Sequence, residues 1–265
     1  MRTKLLTVAL LLSCFSAAAQ QGPFDEKFKI WLGAFRPSLD TSIQWDTPGG
    51  IIGDDITFER TLGIDNSKST LNAELQWRFF PKHSLHVRYF NLERSGTTDV
   101  PLEVTIKGIT FPIQTPTSSF FDTEVFSVGY AFAPIKRDNM ILDLTFGLSI
   151  QDISLGILAP DVNFDERSQV TAPLPTLGIG FGYAFAQKWL VKVNGGWFQL
   201  KVDNIKGKIT EFRAGIEWHA FKNVGFELAY NVFEVDVDVE SAEDTFLGSL
   251  KYQYEGPLFG VTARF

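Results

Sequence analysis

The stretch from Leu71 to Phe79, LNAELQWRF, decides the architecture. Leu71, Ala73, Leu75, Trp77 and Phe79 share one face of an extended chain. Asn72, Glu74, Gln76 and Arg78 share the other, which is the period of two that a β-strand imposes. The same alternation returns along the chain. Met140, Leu142, Leu144, Phe146, Leu148 and Ile150 oppose Asp143, Thr145, Gly147, Ser149 and Gln151. Leu177, Ile179, Phe181, Tyr183 and Phe185 oppose Gly178, Gly180, Gly182 and Ala184. Phe212, Ala214, Ile216 and Trp218 oppose Glu211, Arg213, Gly215, Glu217 and His219, and Phe226, Leu228 and Tyr230 oppose Gly225, Glu227, Ala229 and Asn231.

A soluble β-sandwich also alternates, but its strands run about 5 to 6 residues. Several of these runs are longer than the roughly 9 to 11 residues that a tilted strand needs to cross a bilayer, as strands do when they project past the outer surface. In hydrocarbon an open sheet edge would leave backbone groups unpaired at several kcal/mol each, so the sheet must close. The expected fold is all-β: a transmembrane antiparallel up-and-down barrel of about ten strands, with eight or twelve also compatible.

The connections have the asymmetry of such barrels. Short turns fall at 80–83, 134–138, 186–188 and 221–223. Long loops are expected at 47–67, 99–117 and 155–169, with tight connections near 203–206 and 240–244. Trp77, Phe79, Phe80, Tyr183, Phe185, Trp189, Trp218 and Phe221 bracket the short turns, as an interfacial aromatic girdle would.

Arg2 and Lys4 followed by the apolar run Leu5–Leu12 and by Ala17, Ala18 and Ala19 read as a secretory leader, giving a signal peptide at 1–19 and one barrel at 20–265. An uncleaved membrane helix would need about 20 apolar residues, and Ser13 and Ser16 interrupt the run. The one cysteine, Cys14, lies inside this leader, so the exported chain is expected to carry neither a disulfide nor a thiol site. With 45% hydrophobic and 21% charged residues, bulk composition excludes only a helical membrane protein. The formal charge of −7 and the lack of a basic stripe argue against a nucleic-acid partner.

The last residues, Leu258 to Phe265, end the chain on an aromatic, with Gly260, Ala263 and Phe265 at the spacing of an outer-membrane assembly signal. In this the chain resembles small Gram-negative outer-membrane β-barrel families, and the resemblance implies that these residues engage the barrel-assembly machinery during biogenesis. The whole chain also looks like a family of uncharacterised proteobacterial outer-membrane barrels, through Trp31–Pro37 (WLGAFRP), Phe121–Val125 (FDTEV) and Thr171–Pro175 (TAPLP). That likeness implies fold and compartment, the cell outer membrane, and carries no activity.

The search for chemistry is sparse in candidates. His83 and His86 have HxxH spacing, but on a strand they point to opposite faces and make a poor metal pair. No serine, threonine or cysteine sits beside an oriented base. Gly147-Leu-Ser149 lies within a strand, and Gly178, Gly180 and Gly182 read as small lumen-facing residues, not a phosphate loop. No cofactor is implied. Glu74, Arg78, Arg88, Asp143, Lys192, Glu211, Arg213, Glu217 and Glu227 are expected to face the lumen and to pair, leaving a plugged or narrow pore. Glu234, Asp236, Asp238 and Glu240 place carboxylates on one face near the outer rim, a weak candidate for Ca²⁺ or Mg²⁺, with a solvated acidic strand as the plainer alternative. The function expected is a non-enzymatic barrel with a structural, lipid-interacting or narrow-pore role, its partners being outer-membrane lipid and lipopolysaccharide. A porin-like channel for small polar solutes and an enzyme acting at the outer rim are the alternatives.

Overall fold

A computed structural model describes residues 22–47, 52–202, 205–239 and 247–265. Its strands are β1 (Phe28–Phe35), β2 (Ser38–Trp45), β3 (Asp55–Thr57), β4 (Thr70–Phe80), β5 (His83–Asp99), β6 (Val104–Ile106), β7 (Ile109–Phe111), β8 (Pro116–Arg137), β9 (Met140–Ala159), β10 (Phe164–Ala186), β11 (Trp189–Val202), β12 (Ile205–Trp218), β13 (Val224–Val239) and β14 (Gly248–Arg264). Ten antiparallel staves close into a barrel. β1 and β2 form one stave, because both run along β14 in a single register that is interrupted only at Arg36 and Pro37. Proline cannot donate to the ladder, and Gly256 stands opposite the break, where a Cβ would collide with the Arg36 carbonyl.

Closure runs from Lys29↔Arg264 to Phe35↔Leu258. The terminal residue completes the seam: the Phe265 amide donates to the Phe28 carbonyl at 2.8 Å, and its carbonyl accepts from the Lys27 and Phe28 amides at 2.7 and 3.0 Å. Four short turns share an end with the start of β1 and the end of β14, the end that faces the periplasm in bacterial barrels.

The outer faces confirm the alternation. Leu71, Leu75, Trp77, Leu144, Phe146, Leu148, Ile179, Phe181, Ile216 and Leu228 are exposed around the wall, where they meet lipid. Above this belt the polarity inverts. On β9 the outward series Leu144, Phe146, Leu148 and Ile150 continues as Asp152 and Ser154, while the inward Ile153, Leu155 and Ile157 become buried. On β13 outward Leu228, Tyr230 and Val232 give way to Glu234, Asp236 and Asp238, over buried Phe233 and Val235. The solvent outside has changed from hydrocarbon to water, so the outer face turns polar and the apolar side chains go inward, as in a soluble domain.

The protruding mouth is therefore a packed body. The 155–169 segment, expected as a loop, is the top of the β9–β10 hairpin, turned by a single 3-10 turn at Pro160–Val162 with Asn163 in the left-handed region (φ 58°). Outward Asp165, Arg167 and Gln169 made it read as loop, whereas the inward Phe164 is buried. The expected 99–117 loop contains the β6–β7 hairpin, which lies across the mouth. Its Lys107 amide donates to the Trp45 carbonyl at 3.0 Å on one side, and Phe111 meets Phe164 edge-on at 5.0 Å on the other. The expected 47–67 loop carries β3 and a single helical turn, α1 (Phe58–Thr61), which drops Phe58 and Leu62 into the barrel.

Candidate functional site

The site with most built structure is the lumen. Its turn-end half is an ion-pair network drawn from strands far apart in sequence. Arg213 on β12 donates to Glu74 on β4 and, at 2.6 Å, to Glu227 on β13. Lys192 on β11 bridges Glu227 at 3.1 Å and Glu217, and Lys29 on β1 reaches Glu217 Oε2 at 2.5 Å. The remaining Glu217 oxygen accepts from Thr262 Oγ1 at 3.1 Å and from His219 Nε2 at 3.0 Å. Arg88 pairs with Glu211 higher in the tube. Four cations and four carboxylates thus balance across the lumen. The network is packed as well as paired, because Arg213 stacks over the Trp31 ring at 4.7 Å.

Of the nine lumen charges expected from sequence, Glu74, Lys192, Arg213, Glu217 and Glu227 join one network, with Arg88 and Glu211 as a pair beside it. Arg78 and Asp143 face the same lumen but make no ion pair of their own among the described residues. With Glu26 and His86 they line a cavity of about 170 Å³ near the turn end. Lys29, Trp31, His219 and Thr262 were missed. The parity rule could have found Lys29 and Trp31, since Phe28, Ile30 and Leu32 are the outward set. Phe24, ahead of β1, packs under the barrel against Ala133 and Ile141 and narrows that end.

The outer half of the lumen is apolar, which charge alternation alone did not anticipate. Phe35, Phe90, Phe121, Phe233, Tyr252 and Tyr254 converge beneath Phe58 and Leu62. Phe58 meets Phe121 edge-on at 5.6 Å, and Phe233 stacks on Tyr254 at 4.5 Å. The plug is tied down by a buried ion pair: Arg94 Nη1 donates to Glu59 Oε1 and Nη2 to Thr41 Oγ1, both at 2.6 Å, while the guanidinium lies 5.1 Å over Phe121.

The acidic row faces outward above the belt. Glu234, Asp236 and Asp238 stand opposite Thr210, Lys208 and Lys206 on β12, and Asp236 lies 4.0 Å from Lys251 on β14. Glu240 falls outside the described residues. Among the described residues no three His, Cys, Asp or Glu side chains are grouped to hold a metal. His83 and His86 do point apart: His83 Nδ1 lies 2.6 Å from the Tyr130 hydroxyl in the outer aromatic belt, and His86 Nε2 lies 2.9 Å from Ser84 Oγ inside.

Gly260 and Ala263 sit in the closing strand, and Gly260 has a steric task. A Cβ there, or on its partner Gly33, would overlap the Trp31 indole.

Among solved structures the fold is similar to that of the outer membrane protease OmpT from Escherichia coli, at a TM-score of 0.54 and 10% identity, covering 94% of this chain and 99% of that one. The attachment invasion locus protein Ail of Yersinia pestis aligns at a TM-score of 0.39 and 12% identity over 90% of this chain and 97% of that one. The toluene transporter TodX of Pseudomonas putida aligns at 0.35 and 9% over 90% of each. The closed barrel and its lipid-facing belt define a β-barrel of the outer-membrane type, the fold it shares with the OmpT structure. Within that class it is a ten-strand barrel with a filled lumen and a packed, protruding mouth. Its sequence matches no protein-family model and no curated protein.

Proposed function

We propose that the protein is a non-conducting outer-membrane barrel with a structural and lipid-interacting role, acting through its wall and protruding mouth and not by passing solutes along its lumen. The observation that carries this reading is the double filling of the tube. The balanced charges around Arg213 and Glu217 occupy one half, and the apolar side chains gathered under Phe58 occupy the other. A hydrated ion would have to displace both. Against an enzyme at the outer rim stands the placement of the histidines: His83, His86 and His219 all lie in the turn-end half, so no imidazole base is available at the mouth.

Planar-bilayer recording tests the proposal. The native protein is expected to give silent bilayers, while a variant with Phe58→Ala and Glu59→Ala, which frees the plug, is expected to give current steps. Steps from the native protein that shift when Arg213 or Glu217 is neutralised would overturn it in favour of a narrow channel.

A further inference from the structure

Among the described residues the barrel wall breaks twice above the lipid belt, and the breaks are treated differently. Between β2 and β5, where β4 has ended, the chain supplies its own filling. β3 pairs with β2, the Leu39 amide donates to the Asn66 carbonyl at 2.9 Å, and the Gly63 backbone packs against Gly96 so closely that Gly96 could carry no Cβ. Between β10 and β11 the ladder climbs to Leu177↔Trp197 and stops, although β10 continues to Phe164 and β11 to Val202. Among the described residues nothing pairs with either edge. Val170 and Leu200 have lumen-side parity, yet they are 47% and 38% exposed, so the apolar side chains behind this notch are left uncovered.

The opening is written into the sequence. Pro173 and Pro175 lie just above the last pair, and the ladder from β10 to β9 runs unbroken through Ile150↔Pro173 and Leu148↔Pro175. Prolines tolerated in a continuous ladder occupy positions whose nitrogens point away from the partner strand, here towards the side where β11 would lie. Two donors that could zip the notch shut are therefore missing at its base.

The notch stands at the top of the lipid belt. Its lower rim is apolar, formed by Pro173, Pro175 and Trp197. Its upper rim carries Thr171 and Gln169 on β10 and Gln199 and Lys201 on β11, with Lys206 and Lys208 beside them on β12. Farther in, Thr176, Ile209 and Phe233 line a cavity of about 80 Å³ that reaches Arg88 and Glu211 of the lumen network. The carboxylates Asp152 and Asp236 lie one strand farther out on either side.

We propose that this notch binds a phosphate-bearing lipid of the outer leaflet, one acyl chain entering between β10 and β11 over Leu177 and Trp197 and the anionic headgroup resting at Lys201 and Lys208. The bilayer is continuous with the lower rim, the interior offers apolar side chains, and Lys201 and Lys208 project from the outer face of β11 and β12, strands whose carboxylates, Glu211 and Glu217, face the lumen. An added peptide strand fits less well, because the prolines deny it donors where it would begin. The inference deepens the lipid-interacting reading above and rests on it.

The test uses single cysteines at Val170 and Thr171, facing into and out of the wall, in protein purified from outer membranes and labelled with a small fluorophore. The protein is reconstituted in phosphatidylcholine vesicles containing either brominated-chain phosphatidylglycerol or brominated-chain phosphatidylcholine. The 170 label is expected to be quenched by brominated phosphatidylglycerol in preference to brominated phosphatidylcholine. That preference is expected to fall about fivefold for each of Lys201→Gln and Lys208→Gln. Pro173→Val with Pro175→Val, which restores the donors, is expected to abolish quenching at 170 and leave it unchanged at 171. A 170 label reached by aqueous iodide but not by brominated chains would overturn the lipid site, and equal quenching by the two lipids would overturn headgroup recognition. Conductance recorded on the same vesicles separates the two readings, since a barrel that conducts but shows the expected quenching loses the closed-lumen function and keeps the notch.

Discussion

Arg213 donates across the lumen to Glu74, joining β12 to β4 through residues 139 positions apart, and its second arm is held by Glu227 at 2.6 Å. Arg213→Ala would leave Glu74 without its cation and Glu227 with Lys192 alone. We expect a loss of about 3–5 kcal/mol, read as an earlier urea midpoint for the heat-modifiable band on detergent gels. Replacing all three by neutral residues of similar volume, Arg213→Met with Glu74→Gln and Glu227→Gln, should recover most of that loss. An unchanged midpoint for Arg213→Ala would mean that the pairs add nothing to closure.

The contact of Gly260 with Trp31 separates a packing role from a recognition role. Gly260→Ala pushes a methyl group into the indole that supports Arg213, an overpacking expected to cost about 1–3 kcal/mol. Refolding of the pure protein in detergent should slow or lose yield accordingly. If Gly260 served only the assembly machinery, that machinery-free refolding would proceed at the native rate.

Glu59 and Arg94 anchor the plug, with side chains 8% and 2% exposed. Glu59→Ala strands the guanidinium in an apolar mouth, at a cost of about 3 kcal/mol or more, and should raise local opening of the 58–64 segment on the order of a hundredfold. Trypsin cleavage after the exposed Arg60 reports that opening. Equal cleavage rates in native and variant protein would show that the segment is held by other contacts.

The inversion of polarity along β9 sets the height of the bilayer. Phe146 and Ser154 project from the same outer face, one inside the belt and one above it. Phe146→Arg should cost about 2–4 kcal/mol of folding stability in lipid vesicles, whereas Ser154→Arg should be close to neutral. Comparable losses at both positions would move the membrane border upward.

Strand identity, the outward face and the turn end were legible because each depends on neighbours in sequence. Parity along LNAELQWRF places Glu74 and Arg78 inside without knowledge of any other strand, and the aromatic pairs beside the turns mark the interface. Parity also places Lys192, Arg213 and Glu217 in the lumen. It does not reveal that Lys192 meets Glu217 while Arg78 and Asp143 are left lining a cavity, because partners across a barrel are set by stagger and closure. The 155–169 segment misled for a local reason: its outward residues are polar because water bathes them, and the same residues in a loop would look alike.

By itself the sequence determined a closed antiparallel barrel with a lipid-facing belt, since period-two alternation and the cost of unpaired backbone in hydrocarbon admit no other spanning sheet. Only the tertiary structure decided that the tube is filled by ion pairs below and by Phe58 and Leu62 above, and that the wall parts between β10 and β11. Those outcomes depend on which side chains meet across the lumen and where two strands stop pairing, which are matters of register and distance that local periodicity does not carry.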